Sequence, residues 1–360
     1  MVEYLNFKAQ PLTRAIETIV LAGGSSEREA EKVASALVGA NLAGHDSHGV
    51  GMMPRYVESL HEGGLLINQA PLIKFDGGAM IAVDGQRGYG QVIGEDATAI
   101  AIARARQAGS CIMGLGNVHH LGRIGQWAEQ ATAAGLVSIN FVNVLSRPIV
   151  AAWGGGDGRM GTNPCCIGVP VPGAPPIILD YATSVVAQGK MRVSHNKGEK
   201  VAAGRLIDNE GKPTNDPAYV VVEPLGALMP FGEHKGSGMG LICELLGGAL
   251  AGGGTWHREY KGTRGVLNGM LSILIDPVRL GTADIFASET TEFLGWLRKT
   301  PTAPGFDKMR IAGEPEREMR ARRKAEGVPV DARTWNDICV AAARLGVSRA
   351  KLEAIAGAGA

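Results

Sequence analysis

The sequence is short of aromatic side chains, of net charge and of long apolar runs. Aromatics make up 5% of its 360 residues, too few to build the stacking platforms that hold single-stranded bases. Its 36 basic side chains stand against 35 acidic ones, for a formal charge of +1. That balance gives no electrostatic reason to expect nucleic acid or an acidic membrane surface as partner. No uninterrupted apolar stretch reaches the roughly 18 residues of a membrane span; the longest candidate, Gly236 to Gly254, is broken by Glu244 and weakened by glycines. The opening MVEYLNFKAQ lacks the apolar core of a signal peptide. The five cysteines include the adjacent Cys165 and Cys166 but no CxxC, which argues against a disulfide framework or a zinc ribbon and for buried thiols in a reduced, cytoplasmic chain. The 52 glycines show no G-X-Y period, so collagen is excluded. With 45% hydrophobic residues, the chain can bury one large core or two ordinary domains.

What is present is alternation. Residues 11–44 read as two helices, the second opened by a Ser26–Glu29 capping box and followed by Val33, Leu37 and Val38 at helical spacing. A further helix is expected from Arg55 to His61, stopping at Gly63-Gly64. From about residue 70 the pattern turns to strands at 79–83, 111–115, 136–144, 177–179 and 271–275, with helices at 92–108 and 124–134 between them. Such alternation predicts an α/β layer. Gly236 to Ala251 reads as a helix apolar on every side, hence buried in the core or in an interface. From Glu314 the chain returns to helices whose dense mixed charges read as a solvated face.

Five stretches set polar groups among glycines. His45-Asp46-Ser47-His48-Gly49 offers two histidines and an aspartate, although its spacing fits neither HExxH nor another strong metal motif, and helix capping is an equally simple use of Asp46 or Ser47. Gly116-Asn117-Val118-His119-His120-Leu121-Gly122-Arg123 lies between a strand and a helix start. There the positive helix end favours neutral imidazole, a group suited to proton exchange near neutrality. Gly161-Thr162-Asn163-Pro164 precedes a strand pair ending at Asp180, placed either to orient a base or ligand or to cap the next segment. Glu233-His234-Lys235-Gly236-Ser237-Gly238 could cradle a phosphate at a helix start, and Gly313-Glu314 opens the tail helices. Gly156 to Gly161 matches GxGxxG, but Thr-Asn-Pro follows instead of a helix, so a Rossmann fingerprint is rejected.

Taken in order, DSHG at 46–49, HLGRIG at 120–125, GTNP at 161–164, LDYATS at 179–184 and HKG at 234–236 resemble the type 2 malate/L-lactate dehydrogenase family across nearly the whole chain. The resemblance implies an NAD- or NADP-dependent reductase of 2-oxo acids to 2-hydroxy acids, with no resident metal, assembled as a homodimer. It implies a non-Rossmann central α/β cofactor domain, residues 76–305, beside a helical domain built from residues 1–75 and 306–360. Carried over position by position, His120 is the catalytic histidine, and His48 lines the nicotinamide and substrate pocket beside Ser47. Asp180 orients the histidine or supports the cofactor. Gly122, Arg123, Ile124, Ile178, Leu179, Asp180, Tyr181, Ala182, His234, Lys235, Asn268, Gly313 and Glu314 fall where the family contacts the dinucleotide.

Two departures stand out. Many relatives carry an arginine four residues after the DSHG histidine, where this chain has Met52. It also has Arg123 where a small residue is usual, so the carboxylate clamp is expected at Arg123, assisted by Arg55. Ala312 replaces a frequent proline before Gly313. Three other readings stay open at this stage: a cyclic imino-acid reductase, a metal-dependent hydrolase using His45, His48, His119 and His120, and a nucleotide-binding regulator without turnover.

Overall fold

A computed structural model describes residues 3–257 and 265–357. Helices Ala9–Ala22 and Glu27–Leu42 open the chain. They bury Leu12, Ile16, Ile19, Val33 and Leu37, the apolar stripe that helical spacing places on one face. The Ser26 hydroxyl accepts from the Glu29 N–H at 3.3 Å and so caps the second helix. The strand Tyr4–Phe7 pairs antiparallel with Val328–Asp331. This pairing draws the tail back over the beginning of the chain. Trp335, Ile338 and Leu352, from helices Ala332–Ala343 and Arg349–Ala356, enter one core with Phe7, Leu12 and Ile16.

The larger layer is a seven-stranded mixed sheet. In spatial order its strands are Leu72–Asp76, Met80–Asp84, Ser110–His119, Leu267–Ile275, Val137–Leu145, Cys165–Val171 and Ala174–Tyr181. Only the 80–84 and 110–119 strands pair in parallel; the late 267–275 strand inserts antiparallel between 110–119 and 137–145. Helices Gly90–Ala108 and Gly125–Ala133 supply Ile93, Ala97, Ala101, Trp127 and Ala128 to a core shared with Met113 and Leu115. The small residues of the first helix let it lie close to the sheet. The 234–250 segment also lies against the sheet. A side-chain carbon on Gly269 would sit 2.1 Å from the Gly247 carbonyl oxygen, so backbone meets backbone there and only glycine fits.

Three features differ from the sequence-based expectation. A small five-stranded sheet formed by residues 150–151, 158–160, 206–207, 213–214 and 227–228 was not foreseen. Its strands have two or three residues, too few to show a period. Helices Gln188–Lys197 and Ala283–Leu297 were also not foreseen. The apolar 236–251 helix is an α-helix, His234–Cys243, followed by a π-helical turn, Glu244–Leu250. Only part of it is buried: Leu241 is 52% and Leu250 65% exposed. The Gly156–Gly161 run leads into the short strand Gly158–Met160 and not into a helix.

Candidate active site

His48 ends a single 3-10 turn, Asp46–His48, between two helices. The turn is held from both sides. Asn41 Nδ2 donates to Asp46 Oδ1 at 2.6 Å, and Arg323 of the tail helix Glu314–Glu326 grips both Asp46 oxygens at 2.6 and 3.0 Å. The charged tail is therefore not simply a solvated face, since Arg323 reaches inward to the motif. Ser47 Oγ lies 2.9 Å from His48 Nδ1.

His120 comes from the other layer, immediately after the 110–119 strand. Its backbone N–H donates to the Val266 carbonyl at 2.9 Å, and the next N–H, of Leu121, donates to Asn268 Oδ1 at 2.8 Å. Asn268 also donates to the Asn143 carbonyl at 2.8 Å, so this residue, expected at the dinucleotide, builds the loop that carries His120. The two imidazoles lie nearly parallel, centroids 5.5 Å apart at 18°.

The hydrogen-bond chain behind His120 engages its Nδ1. Gln91 Nε2 donates to Tyr56 Oη at 2.7 Å and approaches the His120 carbonyl at 3.4 Å. Tyr56 Oη lies 2.7 Å from His120 Nδ1. Nδ1 is thereby engaged, and Nε2 is the ring nitrogen left to exchange a proton. Burial, reinforced by the neighbouring His48 and His119, holds His120 well below the ordinary histidine pKa. Burial also lowers His48 to about 4, with His45 and Arg123 adding to it. Tyr56 and Gln91 were missed in the sequence, since neither lies in a motif and only the folded helices bring them to the imidazole.

Asp180 Oδ2 accepts from the Gly125 N–H at 2.7 Å, at the start of the 125–133 helix. Among the described residues, no hydrogen bond joins it to His120. Burial raises its pKa, opposed by that N–H. Arg123 donates to Glu129 Oε2 at 2.5 Å with its side chain 5% exposed. Gly122, at φ +73°, Arg123 and Ile124 form the turn into the 125–133 helix. Further along the same edge, the Ile178 N–H donates to the Ala312 carbonyl at 3.3 Å. Gly313, at φ +91°, therefore sits against Ile178, and Arg317 donates to the Pro176 carbonyl at 2.9 Å. Glu314 accepts from the Ile311 N–H at 2.8 Å and pairs with Arg298. Leu179 is half-exposed beside them, and Tyr181 and Ala182 continue the edge, the Tyr181 ring standing against Phe231. His234 and Lys235 stand exposed at a separate helix start, with the His234 ring against Trp153.

A cavity of about 780 Å³ opens beside Met52, with Arg55, Arg147, Gln188, Arg192 and Val266 in its wall. Arg55 donates to Glu58 Oε2 at 2.5 Å. Among the described residues, no three His, Cys, Asp or Glu side chains converge as a metal-ion cage, and all five cysteines are buried and unpaired. No helix among these residues is long and apolar enough to cross a membrane.

A family model described as malate/L-lactate dehydrogenase matches residues 7–339. Hydroxycarboxylate dehydrogenase B of Escherichia coli K12 is 45% identical over 351 residues, 97% of this chain and 96% of its own. The L-lactate dehydrogenase of Cupriavidus necator is 38% identical over 313 residues, 86% of this chain and 89% of its own. Among solved structures, the L-sulfolactate-type enzyme described as sulfolactate dehydrogenase from Methanocaldococcus jannaschii superposes with a TM-score of 0.82 at 30% identity, covering 96% of this chain and 98% of that one. An E. coli structure assigned to malate/lactate dehydrogenase gives 0.93 at 44% identity, covering 97% and 98%.

Proposed function

Because the chain belongs to the malate/L-lactate dehydrogenase family, we propose that it reduces 2-oxo acids such as 2-oxoglutarate, phenylpyruvate or hydroxyphenylpyruvate to 2-hydroxycarboxylates, and runs the reverse oxidation. It is an oxidoreductase acting on a CH–OH group, as its relatives are by name. The observation that carries the proposal is the Gln91–Tyr56–His120 chain, which leaves His120 Nε2 as the proton-exchanging atom beside His48.

The residues present fit a nicotinamide dinucleotide, NAD or NADP. Two protic rings lie at one end, and the half-exposed Leu179 edge offers apolar contact. Gly313 leaves room at a helix start beside Arg317, where a side-chain carbon would meet the guanidinium at 2.8 Å and the Ile178 nitrogen at 3.2 Å. Ile178, Leu179 and Asp180 of the central 76–305 unit would hold it, together with Gly313 and Arg317 of the 306–360 segment, which lie against that edge. When bound, that group supplies or accepts the hydride at substrate C2.

The chain's own residues do the rest. His120 works from its imidazolium form: Nδ1–H stays turned to Tyr56 Oη while Nε2 gives its proton to the forming alkoxide, leaving a neutral ring protonated on Nδ1 that takes the proton back in oxidation. Gln91 keeps the phenol in place. His48, oriented by Ser47, hydrogen-bonds the substrate carbonyl. Negative charge arriving with the substrate raises the depressed His120 pKa toward the working range. Asp180 holds the start of the 125–133 helix and thereby the Gly122–Ile124 turn.

We also infer a cytoplasmic homodimer. Five buried, unpaired thiols fit a reducing compartment. Leu241, Ile242, Leu245 and Leu250 lie exposed on the 234–250 segment, and Phe293 and Trp296 on the 283–297 helix, apolar surface that a second copy would cover.

The test is oxidation of NADH and NADPH against a panel of 2-oxo acids and one cyclic imine. Turnover of an oxo acid supports the proposal. Imine turnover alone replaces the substrate class, and no turnover with any panel member removes the activity.

A further inference from the structure

We propose that Arg147 is the residue that grips the substrate carboxylate, reaching into the cavity beside Met52 to supply a clamp that methionine cannot. This inference rests on the dehydrogenase reading above and names the residue that selects acids at that same site.

Strand register places Arg147 at the correct end of the sheet. Leu267 pairs with His119 on one side and with Leu145 on the other. The 110–119 and 137–145 strands are both antiparallel to the 267–275 strand, so they run in the same direction. His120 and Arg147 therefore leave the sheet at the same edge, two strands apart. Two inter-strand spacings amount to about 10 Å between backbones, a gap that an arginine side chain and a small acid together span. Val266, whose carbonyl holds the His120 N–H at 2.9 Å, is in the cavity wall with Arg147. Met52 lies in that wall too, one helical turn before the Tyr56 that holds His120 Nδ1.

The other cations are less suited. Arg123, where the sequence placed the clamp, is committed to Glu129 at 2.5 Å. Arg55 is committed to Glu58 at 2.5 Å. Arg192 and Arg344 lie in the wall but are solvent-exposed. Arg147 is half-buried and anchored by a single bond, Nη2 to the Val220 carbonyl at 3.2 Å. It pairs with no carboxylate among the described residues; Glu223 is near enough to be felt without bonding it. Its remaining N–H groups form a fork, the geometry that binds a carboxylate through two parallel hydrogen bonds. A carboxylate there also restores the solvation that burial has cost the guanidinium. With Arg55, Arg192 and Arg344 against only Glu58 and Asp337, the cavity as a whole favours an anion.

The experiment compares wild type, Arg147→Met, Arg147→Lys and the pair Arg147→Met with Met52→Arg. Oxalate is titrated calorimetrically into each protein with reduced cofactor bound, and KM and kcat are measured for the best 2-oxo acid. Arg147→Met is expected to weaken oxalate and raise KM by about 10- to 100-fold, the worth of a charge-assisted bond, with kcat changed far less. Arg147→Lys should retain part of the affinity, and Met52→Arg should recover at least tenfold in the Arg147→Met background. Unchanged oxalate affinity and KM in Arg147→Met, in a protein that melts as wild type does, would overturn the assignment. If wild type binds oxalate through Arg147 but turns over no oxo acid, the dehydrogenase reading fails while the anion site stands.

Discussion

Tyr56 Oη stands 2.7 Å from His120 Nδ1 and accepts from Gln91 Nε2 at the same distance, so the imidazole is tied to the phenol and the phenol to the amide. The orientation of His120 is thus held by two side chains from two helices, Met53–His61 and Gly90–Ala108. Tyr56→Phe keeps the ring and removes the hydroxyl. Turnover should fall by about tenfold, the worth of one oriented hydrogen bond, and the acidic limb of the rate profile should move. A rate and profile equal to wild type would show that the imidazole is held otherwise.

His120→Gln removes the proton carrier from a loop that Val266 and Asn268 hold through its backbone. Turnover should fall by about 10²–10⁴-fold, the usual effect of losing a positioned acid–base group. Quenching of tryptophan fluorescence by reduced cofactor should persist, because the backbone framework is untouched.

Acid should destabilise the fold through its buried histidines. Among the described residues both His119 ring nitrogens lack a hydrogen-bond partner, and burial depresses its pKa to about 3, as it depresses that of His48 to about 4. The unfolded chain, titrating near about 6.5, takes up these protons first as pH falls. Stability is therefore full above that value and declines as pH drops toward the folded pKa values. The melting temperature should fall across this window. His119→Phe, which preserves the edge contact with Tyr56, should flatten the fall; an unchanged slope would assign it to other groups.

Replacing Leu241 and Leu245 together by lysine should convert a dimer to a monomer in sedimentation velocity, since both project from the exposed side of the 234–250 segment. A wild-type protein that sediments as a monomer would refute the inferred assembly.

Much of this molecule was legible in the sequence because period and punctuation were strong. The Ser26–Glu29 cap, the Ala-rich helix at 90–108 and the strand ending at Asp180 all appear close to their expected bounds. The motifs directed attention to His48 and His120, whose rings the fold brings together. Their support was not legible. Tyr56 and Gln91 lie in ordinary helical sequence, and Arg147 follows a strand as any loop arginine does. The pairing of Arg123 with Glu129, one and a half turns along the same segment, was not legible either. The 236–251 segment, expected in the core or in an interface, leaves Leu241 and Leu250 exposed in the single chain, because apolar composition reports a need for cover without saying which chain provides it.

The pairing of Tyr4–Phe7 with Val328–Asp331 also sets an order of events during synthesis. Contacts between the first helices and the last two span almost the entire chain, so the layer that presents His48 cannot close until those final helices have left the ribosome. The sheet that carries His120 lacks its central strand, Leu267–Ile275, until late in translation as well. Both halves of the histidine pair therefore wait for the C-terminal third, and a nascent chain exposes neither a finished pocket nor a competent proton carrier.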